Sequence, residues 1–237
     1  MTPASILRAS RRIAGTSGAA ARAAARLRPL RRPPDRARAF GEACREVLRL
    51  HGVAVEVEGS PPPGAALLAA NHVSWLDPLV VSSAVTCVPV SKLDVSGWPL
   101  VGRLARAFGV LFVSRGDVRS GAQVLREAER ALARGTPVLN FPEGTTTAGD
   151  GVLPFRRGFF GLALRAGVPV VPVAISYRPR ALAWTGDDAF VPHYLALAAS
   201  ASSGVRLRFG APISPTAHED AGSLAEAARA EVARLLE

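Results

Sequence analysis

His72 stands five residues ahead of Asp77 in Asn71-His72-Val73-Ser74-Trp75-Leu76-Asp77-Pro78, directly after the apolar run Ala65-Ala66-Leu67-Leu68-Ala69-Ala70. An imidazole and a carboxylate emerging where a buried strand ends suggest proton abstraction. The carboxylate keeps one ring nitrogen protonated and leaves the other free as a base. On a continuous helix, residues at this spacing lie about 140° away from each other, and Pro78 disfavours helical dihedrals at Asp77. The pair therefore has to meet across a turn. Asp77 is the expected N-cap and Pro78 the first residue of the following helix, which turns the carboxylate back toward His72. Four histidines in 237 residues make such a pair a weak signal by itself, so its weight depends on what else the chain supplies.

Three further stretches supply company. Gly109-Val110-Leu111-Phe112-Val113-Ser114-Arg115-Gly116-Asp117 reads as a buried strand delivering an arginine into a turn. A guanidinium there is suited to a phosphate or carboxylate, which it grips with two parallel hydrogen bonds. Thr136-Pro137-Val138-Leu139-Asn140-Phe141 is a strand leading into Pro142-Glu143-Gly144-Thr145-Thr146, a carboxylate followed by a glycine where backbone can approach a ligand closely. The Gly144 N–H is an expected donor to a developing oxyanion. Gly167-Val168-Pro169-Val170-Val171-Pro172-Val173-Ala174-Ile175 reads as a buried strand kept short by its prolines. It is assigned structure and a wall for an apolar chain, with no chemistry.

Taken in order, these four stretches resemble the motifs of the glycerolipid acyltransferases that include 1-acyl-sn-glycerol-3-phosphate acyltransferase. The similarity runs over residues 60–210, and Phe141-Pro142-Glu143-Gly144-Thr145 is its most specific string. The resemblance implies transfer of a fatty acyl group from a thioester, on coenzyme A or acyl carrier protein, to the free hydroxyl of a lysolipid. The first expected acceptor is 1-acyl-sn-glycerol-3-phosphate, with lyso-ornithine lipid or another lysophospholipid as the alternative. It further implies His72 as base, Asp77 as its partner, Arg115 on the acceptor head group, and Glu143 orienting the acceptor, with Gly144 and Thr145 in the substrate-binding set. No bound cofactor and no metal are expected. Many family members that use a phosphorylated acceptor carry Arg where this chain has Thr146, so one phosphate contact is missing. Arg156 and Arg157, in Leu153-Pro154-Phe155-Arg156-Arg157-Gly158, are candidates for the missing charge. Without a Gly-x-Ser-x-Gly elbow no serine acyl-enzyme is expected, and Ser74 is read as a turn hydroxyl.

The elements that position these residues follow from periodicity. Residues 36–50 carry Phe40, Ala43, Val47 and Leu50 at helical spacing; Val53–Val57 alternates; Cys87-Val88-Pro89-Val90 is a strand for which Pro89 argues an edge position. Asp117 caps a helix ended by Gly135, Val205–Phe209 alternates as a strand, and a helix bearing Leu224, Ala228, Val232 and Leu235 closes the chain. Trp184–Asp188 is read as part of a loop-like insertion also carrying His193 and Tyr194, side chains expected to be packed or exposed rather than catalytic. About seven strands with interleaved helices predict an α/β fold: a single mixed, partly parallel sheet flanked by helices, with an N-terminal basic arm and helix.

Composition bounds the rest. Ten Arg and one acid fall within residues 1–38, leaving 19 basic and 18 acidic residues beyond, so nearly all of the formal charge of +10 sits in the first segment. The division expected is a basic Ala/Arg-rich arm over 1–38, disordered or on a membrane surface, and a catalytic domain over 39–237. An arm of this kind suits an anionic membrane surface or organelle targeting, whereas the near-neutral remainder argues against nucleic acid as a partner. The competing class is a noncatalytic lipid-surface binder. No apolar run of spanning length occurs, which places the expected protein peripherally at the cytoplasmic face of a membrane. Cys44 and Cys87 have neither metal-ligand nor disulfide-framework spacing and are expected to be core residues in a reducing compartment.

Overall fold

The computed structural model describes residues 2–27, 29–30, 32–114, 116–178, 182–185 and 189–237. Seven strands form one sheet: β1 (Val53–Glu58), β2 (Leu67–Ala70), β3 (Val88–Lys92), β4 (Leu111–Val113), β5 (Val138–Asn140), β6 (Val170–Arg178) and β7 (Ser203–Phe209). Their order across the sheet is β1-β7-β6-β2-β5-β3-β4. Every neighbouring pair is parallel except β6 with β7. The expected single mixed, partly parallel α/β sheet is what the chain forms, and its parallel pairs predominate.

Crossover helices cover both faces: α3 (Asp77–Ala84), α4 (Val101–Phe108), α5 (Val118–Leu132), α6 (Gly158–Ala166), α7 (Phe190–Ala199) and α8 (Ala221–Leu236), preceded by α1 (Pro3–Leu27) and α2 (Pro33–Leu50). The consequence is plainest in β2. Leu68 and Ala70 lie in a core with Leu76, Val80 and Val173, while Leu67 and Ala69 pack with Phe160 and Leu224 on the opposite face. All four residues are fully buried, as a central strand covered on both sides requires. Each leucine contributes roughly 1.5–3 kcal/mol by leaving water. β2 is thus a rigid stalk, and the His72 loop is its continuation.

Two strand expectations need correction. β3 is not an edge strand: it lies between β5 and β4. Val88 N–H donates to Pro137 C=O on the β5 side, so the ring nitrogen of Pro89 faces the other side, where pairing with β4 begins only at Val90. The missing donor falls just outside the ladder. Nor is β6 short. It runs nine residues, with Pro169 before its start and Pro172 paired by register to Ala69.

Residues 3–27 form a 25-residue helix, and a second helix, α2, spans Pro33–Leu50. Ala9, Ala19, Ala23 and Leu27 are buried, and the three alanines are small enough to let α1 lie close to its neighbours. Arg12 donates to the carbonyls of Leu197, Ala198, Ser200 and Ala201, and Arg8 to that of Ala199. These cations satisfy the orphan carbonyls at the end of α7 and suit its negative pole. α7 itself was expected as loop. Its apolar sequence, Phe190 to Ala199, hides helical periodicity because small and large side chains alternate around it. Cys44 and Cys87 are buried, and burial pushes the Cys87 thiol up to about 12.

Candidate active site

The end of β2 is fixed from both sides before any chemistry is considered. Asn71, buried, donates from its amide nitrogen to Ile175 C=O at 3.0 Å and accepts from Ile175 N–H at 2.8 Å. Its side chain extends the β2–β6 ladder, whose last backbone pair is Ala70 with Val173. One residue later, His72 N–H donates to Glu143 Oε1 at 2.7 Å, and His72 C=O accepts from Thr147 N–H at 2.8 Å. The β2 and β5 loops are therefore stitched together at His72.

The chain then turns as expected, so that His72 Nδ1 meets Asp77 Oδ2 at 2.7 Å. The turn differs in detail: Leu76 is the N-cap, Asp77 the first helical residue, and the Asp77 carboxylate caps no N–H of its own helix. It faces back instead. Oδ2 also accepts from Val73 N–H at 2.7 Å and Ser74 N–H at 2.9 Å, and Oδ1 accepts from Tyr177 O–H at 2.6 Å. The carboxylate is completely buried, and these four donors replace water around it. Facing an acceptor oxygen, Nδ1 is the ring nitrogen that carries the hydrogen, so in the neutral imidazole Nε2 is the one with a free lone pair. The His72 side chain is 17% exposed, with its ring stacked on Phe141 at 4.2 Å between centroids. Ser74 is fully buried and its hydroxyl accepts from Leu76 N–H at 3.4 Å, the turn role expected of it.

Tyr177 and Asn71 went unread as site residues. No spacing signal marks them, because their contacts depend on β6 lying beside β2. Tyr177 is buried, which pushes its phenol well above the usual range, with the Asp77 charge adding to the effect. It stays a hydrogen donor to Asp77.

Glu143 is buried, and both its oxygens are engaged, Oε1 by His72 N–H and Oε2 by Leu153 N–H at 3.0 Å. Burial raises its carboxyl above the ordinary range, partly offset by those two backbone donors. In this arrangement Glu143 positions the His72 backbone. Gly144 N–H is not the free donor expected of it: it closes the Phe141-Pro142-Glu143-Gly144 turn on Phe141 C=O at 3.1 Å. The next amides, Thr145 and Thr146, engage no acceptor among the described residues.

Gly144 has φ of +73°, and a Cβ built on it would stand 2.6 Å from Arg156 Nε and 2.8 Å from its Cζ. Gly144→Ala is expected to destabilise the fold by about 1–2 kcal/mol through the left-handed backbone and to displace Arg156. Chemical denaturation of the variant beside Gly116→Ala, equally left-handed at φ +82° but with open space around its Cβ, separates the two effects. Arg157 is elsewhere: its guanidinium lies against Gly222. There it faces Asp220, whose carboxyl is held low by the Ser223 and Gly222 amides and further by Arg157. Arg115 and residues 186–188 lie outside the described residues.

An apolar wall stands beside the His72 loop. Trp75 Nε1 donates to His193 Nδ1 at 2.9 Å, and Trp75 and Trp98 both pack on Phe190. Trp184 N–H donates to Val73 C=O at 2.8 Å. His193 is packed, as expected, and ties α7 to the site. Among the described residues no three His, Cys, Asp or Glu side chains are grouped to hold a metal.

Residues 52–176, the stretch that holds the His72–Asp77 pair and the glutamate-bearing turn, match the acyltransferase family model. The chain belongs to that family. It is 38% identical over 208 residues to the lyso-ornithine lipid O-acyltransferase of Rhizobium meliloti, covering 80% of this chain and 66% of that protein. To the 1-acyl-sn-glycerol-3-phosphate acyltransferase of Neisseria meningitidis it is 36% identical over 147 residues, 61% of this chain and 58% of the relative. The chain thus spans two thirds or less of the length of these two relatives. The crystal structure of the 1-acyl-sn-glycerophosphate acyltransferase PlsC from Thermotoga maritima has the same fold, with a TM-score of 0.75 and 21% identity over 98% of this chain and 94% of that one.

Proposed function

We propose that the protein transfers a fatty acyl group from a thioester, of coenzyme A or acyl carrier protein, to the free hydroxyl of a lysolipid. The observation that carries this reading is the His72 Nδ1–Asp77 Oδ2 bond, which leaves Nε2 available as a base at the end of a buried strand. Nε2 takes the hydroxyl proton as the oxygen attacks the thioester carbonyl. The buried Asp77 carboxylate stabilises the imidazolium that results. The amides of Thr145 and Thr146, which follow Glu143 in the same loop, are assigned as donors to the oxyanion of the tetrahedral intermediate. Its collapse expels the thiolate, which recovers the proton from His72. Thr145, Arg115 and Arg156 are assigned to the acceptor.

Purified protein supplied with each labelled thioester and with lysophosphatidic acid, lyso-ornithine lipid and monoacylglycerol in parallel is expected to form an ester product with at least one lysolipid. No product from any pairing would refute the reading. The acceptor has two candidates. 1-Acyl-sn-glycerol-3-phosphate agrees with the Neisseria relative, and lyso-ornithine lipid agrees with Thr146 and with the Rhizobium relative.

An anionic membrane surface is the proposed partner of α1. Arg11, Arg26, Ile6 and Leu7 are exposed along it, and no described helix is long and apolar enough to span a bilayer. Each arginine near such a surface contributes roughly 1 kcal/mol. Arg11→Glu combined with Arg26→Glu is expected to weaken sedimentation with phosphatidylglycerol vesicles at least about tenfold, leaving both helices folded. Unaltered vesicle binding would remove α1 from the membrane.

A further inference from the structure

Arg156 and Arg157 are neighbours in sequence, but the structure sends them to different places. Arg156 N–H donates to Pro142 C=O at 2.9 Å. Three residues earlier, Leu153 N–H donates to Glu143 Oε2. The loop between them is therefore bound at both ends to the turn that holds His72 through Glu143 Oε1. From this loop the Arg156 guanidinium reaches back over Gly144 into the space that any other residue there would fill with a Cβ. Arg156 is exposed, so this guanidinium is open to a ligand from solvent. Here the carboxylate of the turn itself, Glu143, has both oxygens committed to backbone N–H groups. Among the described residues no side chain forms an ion pair or hydrogen bond with Arg156. Arg157, by contrast, is spent at the start of α8 beside Gly222 and Asp220.

We infer that Arg156, and not Arg157, is the cation of this turn that reads an oxyanion of the acceptor head group, a phosphate or a carboxylate. The inference rests on the lysolipid reading above. It answers the Thr146 departure: the charge that a longer side chain would bring from the turn itself comes instead from the adjacent loop, across a glycine that leaves room for it. A guanidinium without an internal partner is ready to form two charge-assisted bonds with a phosphate or carboxylate. The second is the group a lyso-ornithine head would present.

The test measures kcat/KM of the full chain on lysophosphatidic acid and on lyso-ornithine lipid, each divided by kcat/KM on monoacylglycerol, which has no anionic head. Arg156→Ala should lower that ratio about 10- to 100-fold. Arg156→Lys should restore part of it, since it keeps the charge and loses the fork. Arg157→Ala should keep the wild-type ratio. A fall confined to lysophosphatidic acid assigns a phosphate, one confined to lyso-ornithine assigns a carboxylate, and a fall with both assigns the shared oxyanion. An unchanged ratio in Arg156→Ala, or an equal fall in Arg157→Ala, overturns the inference. Thermal unfolding of each variant checks that the fold is kept. Should the wild type acylate none of the acceptors, the lysolipid-transfer reading fails on its own. Donor-free calorimetric titration with the two anionic lysolipids then decides the head-group claim. Binding weakened about tenfold or more by Arg156→Ala supports it, and either equal binding or no wild-type binding overturns it.

Discussion

His72→Ala is expected to lower the rate of acyl transfer by about three orders of magnitude, with unfolding close to that of the wild type. The two halves of this expectation come from different contacts. The reactive half lies in the ring, whose Nδ1 is bonded to Asp77 and whose Nε2 is free. The structural half lies in the backbone, where the His72 N–H and C=O are engaged by Glu143 and Thr147 whatever the side chain is. Removing the ring also leaves Asp77 with three donors, Val73 N–H, Ser74 N–H and Tyr177 O–H, so no bare carboxylate remains. Loss of the stacking on Phe141 costs about 1 kcal/mol. Turnover with saturating thioester and lysolipid, measured beside a denaturant curve, separates rate from fold. A variant retaining a tenth of wild-type turnover would show that His72 is not the base.

Asp77 gives the second large effect, and the choice of substitution decides which kind. Asp77→Ala strips the acceptor from two buried backbone N–H groups and a buried phenol. Each unsatisfied donor costs about 1–3 kcal/mol, so a loss of about 3–5 kcal/mol is expected, a large fraction of the stability of an ordinary domain. Asp77→Asn should behave otherwise. Its amide oxygen can keep the three donors at the Oδ2 position while its NH2 faces the Tyr177 oxygen, which can accept. That variant is expected to lose about 1–2 kcal/mol, because charge-assisted bonds become neutral ones, yet to lose about 10²- to 10³-fold in turnover, because a neutral amide keeps the tautomer but no longer stabilises the imidazolium. Urea denaturation and steady-state kinetics on both variants make the comparison. Equal stability losses for Ala and Asn would show that the four bonds to the carboxylate do not hold the turn together.

The parts of this arrangement that were legible in the sequence are those set by local rules. The apolar run into Asn71 marks a buried strand, and Pro78, tolerated only in the first turn of a helix, keeps the helix from running back to His72. The meeting of His72 and Asp77 across a turn was therefore legible, although the helix begins one residue earlier than read. The Asp117 cap was legible for the same reason: its Oδ1 accepts from Arg119 and Ser120 N–H within a single turn. What was not legible depends on partners distant in the chain. Tyr177 joins the site only because β6 is placed next to β2, and Glu143 is turned onto the His72 backbone by a contact with Leu153 that no spacing foretells. α1 looked like a poor core segment by composition, since alanine contributes little apolar area. It packs all the same, because small residues permit close approach and two arginines find the carbonyl end of α7. Gly144 was singled out for a free amide, but in the structure that amide closes the turn and the space above the residue is filled by Arg156.

The Asn71–Ile175 clamp and the Tyr177–Asp77 bond close loops of 104 and 100 residues. During synthesis the imidazole and its carboxylate partner leave the ribosome well before β6 does, and for that interval the end of β2 has nothing to extend its ladder or to hold the buried carboxylate. Closing a loop of that length carries an entropic cost that local helices do not share, and contacts of such separation form late in folding. The order of events is thereby built into the topology: α2 to α5 can condense first, and the pair at His72 acquires its clamps only when the strand bearing Ile175 and Tyr177 docks. A nascent or truncated chain ending before residue 177 carries every residue of the His72, Glu143 and Arg156 loops and still has no organised site.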